Sequence, residues 1–126
     1  MRAVFWVWLG GGIGAVCRYL LGQAIAQRVS TIFPWGTWTI NVTGCLILGC
    51  FGTLAVTKAT VIPPELRLAV AVGFVGAYTT FSTFGFETIK LLQDGAWLIA
   101  GAYVASSLVV GLLAVYAGVV LARVLA

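Results

Sequence analysis

Four long apolar stretches, separated by short polar loops, are the feature that most restricts how this sequence can fold. The hydrocarbon core of a bilayer is about 30 Å thick, so one helical crossing needs roughly 20 apolar residues. Stretches of that length lie at about residues 3–26, 37–57, 68–92 and 96–122. The sequence therefore predicts an all-α integral membrane protein, in which residues 1–126 form a single domain of four transmembrane helices.

The scarcity of charged residues excludes a soluble domain. Charged side chains make up 8% of the 126 residues, and the mean hydropathy is +1.12, whereas soluble domains contain about 25% charged residues. The alternating pattern of a transmembrane β-barrel is also missing from the sequence. Basic residues in a membrane protein usually mark helix ends. The pI of about 9.3 therefore does not indicate a nucleic-acid partner.

The first apolar stretch superficially resembles a secretory signal peptide, because Arg2 precedes it and the tripeptide AIA stands at 24–26. Arg18 and a glycine-rich segment precede that tripeptide, and the stretch is long enough to span a bilayer. We therefore expect a retained transmembrane helix.

The three cysteines, Cys17, Cys45 and Cys50, lie within predicted spans. Their odd number, the lack of a CxxC motif and the absence of histidine argue against a disulfide framework and a zinc site. We expect them to be packing residues. Without histidine the chain offers no evident nucleophile–base pair, so we do not expect an enzyme.

The distribution of basic residues gives only a weak orientation signal. Four crossings place both termini and the second loop on one side, with Arg2, Lys58, Arg67 and Arg123. The other side has Arg28 and Lys90, and also Arg18 if that side chain snorkels there. So small a bias suits insertion in both orientations. Because four helices of this size leave no lumen, we predict an antiparallel, dual-topology homodimer with any transport route between the chains.

Polar residues inside predicted spans are candidates for function, because they are costly in lipid. In the first span Gly10, Gly14, Arg18 and Gly22 recur every four residues. This face either packs closely against another helix, with Arg18 snorkelling, or places Arg18 at a vestibule for anions. In the second span Asn41 either bonds helices together or offers its amide donors to a ligand.

The segment GAYTTFSTFGFE at 76–87 is the most unusual part of the third span, since it has four hydroxyl side chains within five residues. Ser and Thr compete for backbone hydrogen bonds, so we predict that this helix is broken. Freed carbonyls there could coordinate a cation, and freed N–H groups could meet an anion. The alternative is a continuous helix whose hydroxyls bond back to their own carbonyls. Phe81 and Phe84 share a face, where they either pack or direct their positive ring edges at a small anion.

Two further patterns complete the polar inventory. Glu87 and Lys90 are three residues apart near a helix end, which favours an exposed ion pair. On the fourth span Tyr103, Ser107 and Gly111 recur every four residues, a stripe that we expect to face a partner helix or to form one wall of an ion path.

Several of these motifs together resemble one family, the Fluc or CrcB fluoride channels of bacteria. GGIGAVCRY at 11–19 is similar to that family's first-helix signature, GTWTINVTG at 36–44 to its second, and the segment at 76–87 to its third, which is the most specific. The resemblance spans essentially the whole chain. It implies a multi-pass protein of the bacterial plasma (inner) membrane, in which two chains of opposite orientation form two fluoride pores with a broken third helix.

The resemblance also implies roles for particular residues. Phe81 and Phe84 would line the pores, with Asn41 as an amide donor beside them. Ser82, Thr83 and Ser107 would belong to a polar track, and Arg18 to a vestibule. The backbone carbonyls of Gly76 and Thr79 from both chains would hold a central, structural Na⁺ that is not transported.

Three positions depart from the family's pattern. Ala77 stands where a second glycine is common and is followed by bulky Tyr78, while Gly111 replaces a hydroxyl found in relatives. The first two concern the sodium site, and the third concerns the polar track.

Two other classes of function compete with passive fluoride export. A small dual-topology, proton-coupled multidrug exporter would need a membrane-embedded acid, but the first span carries Arg18, and Glu87 lies near a helix end. An accessory subunit would use its Gly and Ser/Thr faces only to bind partner helices, and the purified chain would show no flux.

Overall fold

The computed structural model describes residues 1–126, and its regular structure is entirely helical. Helix α1 spans Arg2–Arg28 and α2 spans Trp35–Thr57. The third crossing, Pro64–Gln93, contains α3 (Pro64–Arg67), a π-helix (Leu68–Val75), α4 (Gly76–Tyr78) and α5 (Phe81–Gln93). The last helix, α6, spans Trp97–Leu125. The four predicted crossings are confirmed as helices long and apolar enough to span a membrane.

Glycines allow α2 and α6 to pack with their backbones in contact. A Cβ atom at Gly49 would overlap the carbonyl oxygen of Val115, and one at Gly118 would overlap that of Leu46. Between helices surrounded by lipid the hydrophobic effect supplies little attraction, so close van der Waals packing of this kind holds them together.

Glycines also allow α1 to pack against the backbone of the π-helix. A Cβ at Gly10 would overlap Ala69 O, and one at Gly14 would overlap Phe74 O. These glycines belong to the four-residue repeat seen in the sequence, and the packing interpretation of that repeat is confirmed for them. A π-helix is usually a single turn, so the eight residues Leu68–Val75 are a long example.

The third crossing changes conformation between α4 and α5. Thr79 has φ −79° and ψ 160°, and Thr80 has φ −151° and ψ 110°, so both residues are extended. Their backbone groups therefore cannot complete the i→i−4 ladder of an α-helix and need other partners. This extended pair, Thr79–Thr80, lies beside α2.

Basic side chains close several helix ends and loops. Arg67 donates to Ile62 O at 3.1 Å and also contacts Ala59 O, which fixes the loop between α2 and α3. Lys58 Nζ donates to Leu125 O at 3.2 Å, and Arg28 to Ala24 O at 3.0 Å. Cations near C-terminal carbonyls are favourable, so these residues mark helix ends as the sequence predicts.

Candidate functional site

A groove of about 300 Å³ lies between α2, the extended pair and α6. Its wall brings together five of the predicted site residues: Asn41, Thr79, Phe81, Phe84 and Ser107. Ser107 comes from α6 and Asn41 from α2, so residues remote in sequence converge at the extended pair. The rest of the lining is mostly apolar, which suits a narrow path with a few well-placed polar groups.

Asn41 binds the extended pair through both halves of its amide. Its Nδ2 donates to Thr80 O at 3.1 Å, and its Oδ1 accepts from the Thr80 N–H at 2.8 Å. The side chain therefore replaces the helical partners that Thr80 lacks. This geometry fits the interpretation of Asn41 as a bond between helices, while the second N–H of its amide remains for a ligand in the groove.

The hydroxyls of the third crossing take three different roles. Thr79 Oγ1 bonds back to Val75 O at 3.0 Å. Thr80 Oγ1 caps the start of α5 by accepting from the Thr83 N–H at 3.2 Å, and it donates to Thr83 Oγ1 at 2.9 Å. Ser82 Oγ lies 3.5 Å from Thr80 Oγ1. Ser82 and Thr83 are exposed, so their oxygens can reach an ion outside the helix.

The carbonyls of Gly76 and Thr79 have lost their usual helical donors. In a continuous helix the Thr80 N–H would donate to Gly76 O and the Thr83 N–H to Thr79 O. Here the first N–H binds Asn41 and the second binds Thr80 Oγ1. Gly76 is also exposed. Unwound carbonyls are the kind of ligand that coordinates Na⁺ within membranes, so these two residues fit the implied cation.

Arg18 approaches the extended pair from the side of α1. Its Nη1 lies 3.5 Å from Thr79 O, at the long limit for a hydrogen bond, so its donors are largely uncommitted. Arg18 also lines a second cavity of about 410 Å³, together with Thr80, Thr83 and Glu87. The side chain thus points at the extended pair and places positive charge in a polar cavity.

The two phenylalanines of the third crossing lie side by side at the groove. The ring centroids of Phe81 and Phe84 are 5.7 Å apart and the rings are tilted by 42°. Phe84 is half-buried against Tyr103, with centroids 5.1 Å apart, whereas Phe81 is 84% exposed in the single chain. So large an exposed ring beside polar groups indicates a surface that lipid, a ligand or another chain must cover.

Glu87 does not form the ion pair expected with Lys90, and that prediction is wrong. Its Oε1 accepts from Thr37 Oγ1 at 2.8 Å, and its Oε2 accepts from the Tyr103 hydroxyl at 2.7 Å. Both oxygens are therefore held by side chains of α2 and α6. Hydrogen bonds from two hydroxyls to a carboxylate are charge-assisted and strong, whereas solvent screens an ion pair at the surface.

Two members of the stripe on α6 face partner helices within the chain, because Tyr103 donates to Glu87 of α5 and Gly111 packs beside Cys45 of α2. Tyr103 has no exposed surface, and Gly111 is buried where an added Cβ would lie 3.6 Å from the sulfur of Cys45. Only the groove-lining role of Ser107 matches the expected wall of a path. Sequence reasoning missed the cluster of Thr37, Glu87 and Tyr103, because its members are 50 and 16 residues apart and no local spacing signals their contact.

Comparison with known proteins identifies relatives along nearly the whole chain. A family profile described as "CrcB-like protein, Camphor Resistance (CrcB)" matches residues 5–119. Proteins named "Fluoride-specific ion channel FluC" are similar to the chain in several organisms. The one from Acidobacterium capsulatum is 49% identical over 116 residues, which is 91% of each chain. The one from Trichormus variabilis is 47% identical over 115 residues, 91% of this chain and 84% of the relative. The one from Geobacter sp. strain M21 is 42% identical over 125 residues, 99% of this chain and all of the relative.

Proposed function

This chain belongs to the CrcB-like protein family, and from that premise we propose that it is a fluoride-specific ion channel. It is a multi-pass membrane protein, and its relatives are named as channels, which are transporters rather than enzymes. The single observation that carries the proposal is the groove in which Asn41, Phe81, Phe84 and Ser107 converge.

The groove offers the donors that a small, strongly hydrated anion requires. A selective path must replace the water of the ion with other positive groups, yet bind weakly enough to release it. Asn41 contributes an amide N–H, Ser107 a hydroxyl, and the phenyl rings their positive edges. No group in this set carries a full charge, so the ion is stabilised without being trapped.

Arg18 provides the fixed positive charge beside this path. It lines the neighbouring cavity with Thr83, and Thr80 lines both cavities. A cation in a cleft with apolar walls raises the local concentration of anions. In this account Arg18 gathers fluoride in a vestibule, while Ser82 and Thr83 act as exposed hydroxyls along the route.

We assign the complete channel to an antiparallel homodimer in which the third helix of each chain is broken. The extended conformation of Thr79 and Thr80 supports the break. The exposure of Phe81 and Gly76 supports a second chain against this face. The weak charge bias supports insertion in both orientations, since neither side is strongly favoured by the positive-inside rule.

The carbonyls of Gly76 and Thr79 are proposed to hold a structural Na⁺ at the centre of the dimer. Their missing helical donors support this assignment. The carbonyl oxygens of Gly76 and Thr79 would supply the ligands, and a bound cation would take the place of the N–H donors that they lack. Within this chain, Asn41 and the Thr80 hydroxyl hold those carbonyls in place, and Ala77 and Tyr78 are compatible with the assignment because neither residue has a positive φ.

Passive export of toxic fluoride across the bacterial plasma membrane is the role that follows. The proton-coupled exporter is less well supported, because Glu87 is engaged by two hydroxyl donors. The test is growth of a bacterial strain without its own fluoride exporter, in fluoride and separately in a lipophilic cationic drug. We expect the chain to restore growth in fluoride alone, and the Phe84→Ile variant not to restore it. Resistance to the drug without resistance to fluoride would overturn the proposal in favour of the exporter.

A further inference from the structure

Tyr78 is the last residue of α4, and its side chain contacts α2 and does not line the groove. It is 5% exposed, and its hydroxyl oxygen lies 2.8 Å from Thr43 Oγ1. Thr43 Oγ1 is also 2.7 Å from the carbonyl oxygen of Thr39, which can only accept. The Thr43 hydrogen is therefore committed to Thr39, and Tyr78 is the donor in the pair.

The ring of Tyr78 lies between the π-helix and α2. It stacks on Phe74 of the π-helix, with centroids 5.6 Å apart and an interplanar angle of 10°. On the α2 side, a Cβ at Gly44 would lie 3.4 Å from Tyr78 Cδ1 and would overlap the methyl group of Thr79. Gly44 therefore lets α2 approach the end of α4 closely enough for the two hydroxyls to meet.

Helix α2 thus ties down the extended pair on both sides. The bond from Tyr78 to Thr43 lies immediately before Thr79, and the two bonds between Asn41 and Thr80 lie immediately after it. The Thr79 carbonyl lies between these ties, and Gly76 lies two residues before the first. The position of both carbonyls consequently depends on how firmly α4 is attached to α2.

We propose that Tyr78 is a positioning residue for the carbonyls of Gly76 and Thr79, and that its hydrogen bond to Thr43 raises the affinity of this site for Na⁺. The inference rests on the sodium site of the proposed function. Carbonyl ligands at an interruption of a helix bind a cation well only when neighbouring groups fix their geometry. The Tyr78 hydroxyl is bound to Thr43 and its side chain does not line the groove, so we expect it to act on the carbonyls through the backbone of α4.

The test is the Na⁺ dependence of thermal unfolding of the purified full-length protein in detergent, with choline replacing Na⁺ at constant ionic strength. In Tyr78→Phe we expect the Na⁺ concentration that gives half of the maximal stabilisation to rise about threefold to tenfold, the range for one neutral hydrogen bond. Thr43→Val removes the same bond and should show the same rise. Because both changes act on one bond, the double variant should show no further rise.

Two matched variants control for other effects. Thr43→Ser keeps the hydroxyl and should retain the wild-type Na⁺ dependence. Tyr116→Phe removes a tyrosine hydroxyl from a side chain of α6 that is 67% exposed, and it should change nothing. An equal loss of melting temperature at every Na⁺ concentration in Tyr78→Phe would show a purely structural role and overturn the inference.

Fluoride efflux from liposomes separates this inference from the proposed function. We expect Tyr78→Phe to conduct like the wild type at saturating Na⁺ and to lose flux at low Na⁺. Wild-type protein that binds Na⁺ but conducts no fluoride would overturn the proposed function and leave the role of Tyr78 intact. A wild-type melting temperature that ignores Na⁺ would overturn the sodium site, and this inference with it.

Discussion

At the level of single residues, a few side chains replace the hydrogen-bond partners that the backbone lacks at the extended pair. Asn41 does so most directly, because its amide satisfies both the N–H and the carbonyl of Thr80. An unpaired backbone N–H or carbonyl group inside a membrane-spanning segment is costly. Asn41 also lines the groove, so the side chain that pairs the backbone of Thr80 is a wall residue of the candidate site.

Replacing Asn41 by Ala should destabilise the protein and abolish conduction. The change removes two hydrogen bonds from a part-buried backbone, with a cost of about 2–4 kcal/mol. The expected results are a lower melting temperature in detergent and no fluoride efflux. Thr53→Ala is the matched control on the same helix, since its hydroxyl only bonds back to Gly49 O. Wild-type stability and flux in Asn41→Ala would contradict this role.

Replacing Phe84 by Ile should reduce fluoride flux at least about tenfold, because an aliphatic side chain has no positive ring edge. The melting temperature should fall only slightly, since the Phe84 ring is only half-buried. Phe86→Ile is the control, because Phe86 is 73% exposed and lies outside the groove. Equal flux in the two variants would remove the Phe84 ring from the pathway.

At the scale of helices, small residues decide how closely the crossings approach. Gly14 allows the backbone of α1 to meet the carbonyl of Phe74, whereas a Cβ at Gly12 would have nothing within 4 Å. The two glycines are two residues apart on one helix and so face in different directions. Their comparison separates the effect of packing from that of helix propensity.

The Gly14→Ala variant should lower the free energy of unfolding by about 1–3 kcal/mol, because the added methyl group would overlap the backbone at Phe74. Gly12→Ala should be neutral or slightly stabilising, since Ala favours the helix. Thermal unfolding followed by size-exclusion chromatography in detergent would measure both. A loss in Gly12→Ala as large as that in Gly14→Ala would contradict this account of α1 packing.

The helices could be predicted from sequence because length and hydropathy alone determine them. The spans expected at 37–57 and 96–122 became Trp35–Thr57 and Trp97–Leu125. The repeat of Gly10 and Gly14 likewise indicated a packing face, since four-residue spacing fixes a helix face. Helix spans and helix faces can be predicted in this way because they depend on the local sequence.

Contacts between distant residues could not be predicted in the same way. Helical spacing pairs Glu87 with Lys90, but Glu87 binds Thr37 and Tyr103 on two other helices. The sequence marks Tyr78 only as a bulky residue beside the helix break, yet Tyr78 donates to Thr43, and Gly44 leaves the space for this contact. These partners depend on the relative placement of helices, which periodicity within one helix does not encode.

At the scale of the whole molecule, the protein is proposed to work as two chains of opposite orientation. One chain leaves Phe81 and Gly76 exposed, and in the proposed dimer a second chain would cover them. The predicted topology places four basic residues on one side of the membrane and two or three on the other, which is a weak bias. Orientation should therefore respond to a small change in loop charge.

Adding lysines to one loop should fix the orientation and abolish conduction. Thr57→Lys/Thr60→Lys would favour one orientation, and Ser30→Lys/Thr31→Lys the other; all four positions are exposed. Each double variant expressed alone should show little fluoride efflux in cells. Co-expression should restore it, because both orientations are then present. Full activity of each variant alone would contradict the antiparallel arrangement.

The most direct test of the central claim is fluoride efflux from liposomes that contain only this purified chain and have Na⁺ on both sides, with chloride efflux measured in parallel. We expect rapid release of fluoride with negligible release of chloride. We expect the same behaviour for Phe86→Ile and a much slower release of fluoride for Phe84→Ile. Absence of fluoride release, or equal release of the two anions, would contradict the claim that this chain alone forms a fluoride-selective channel.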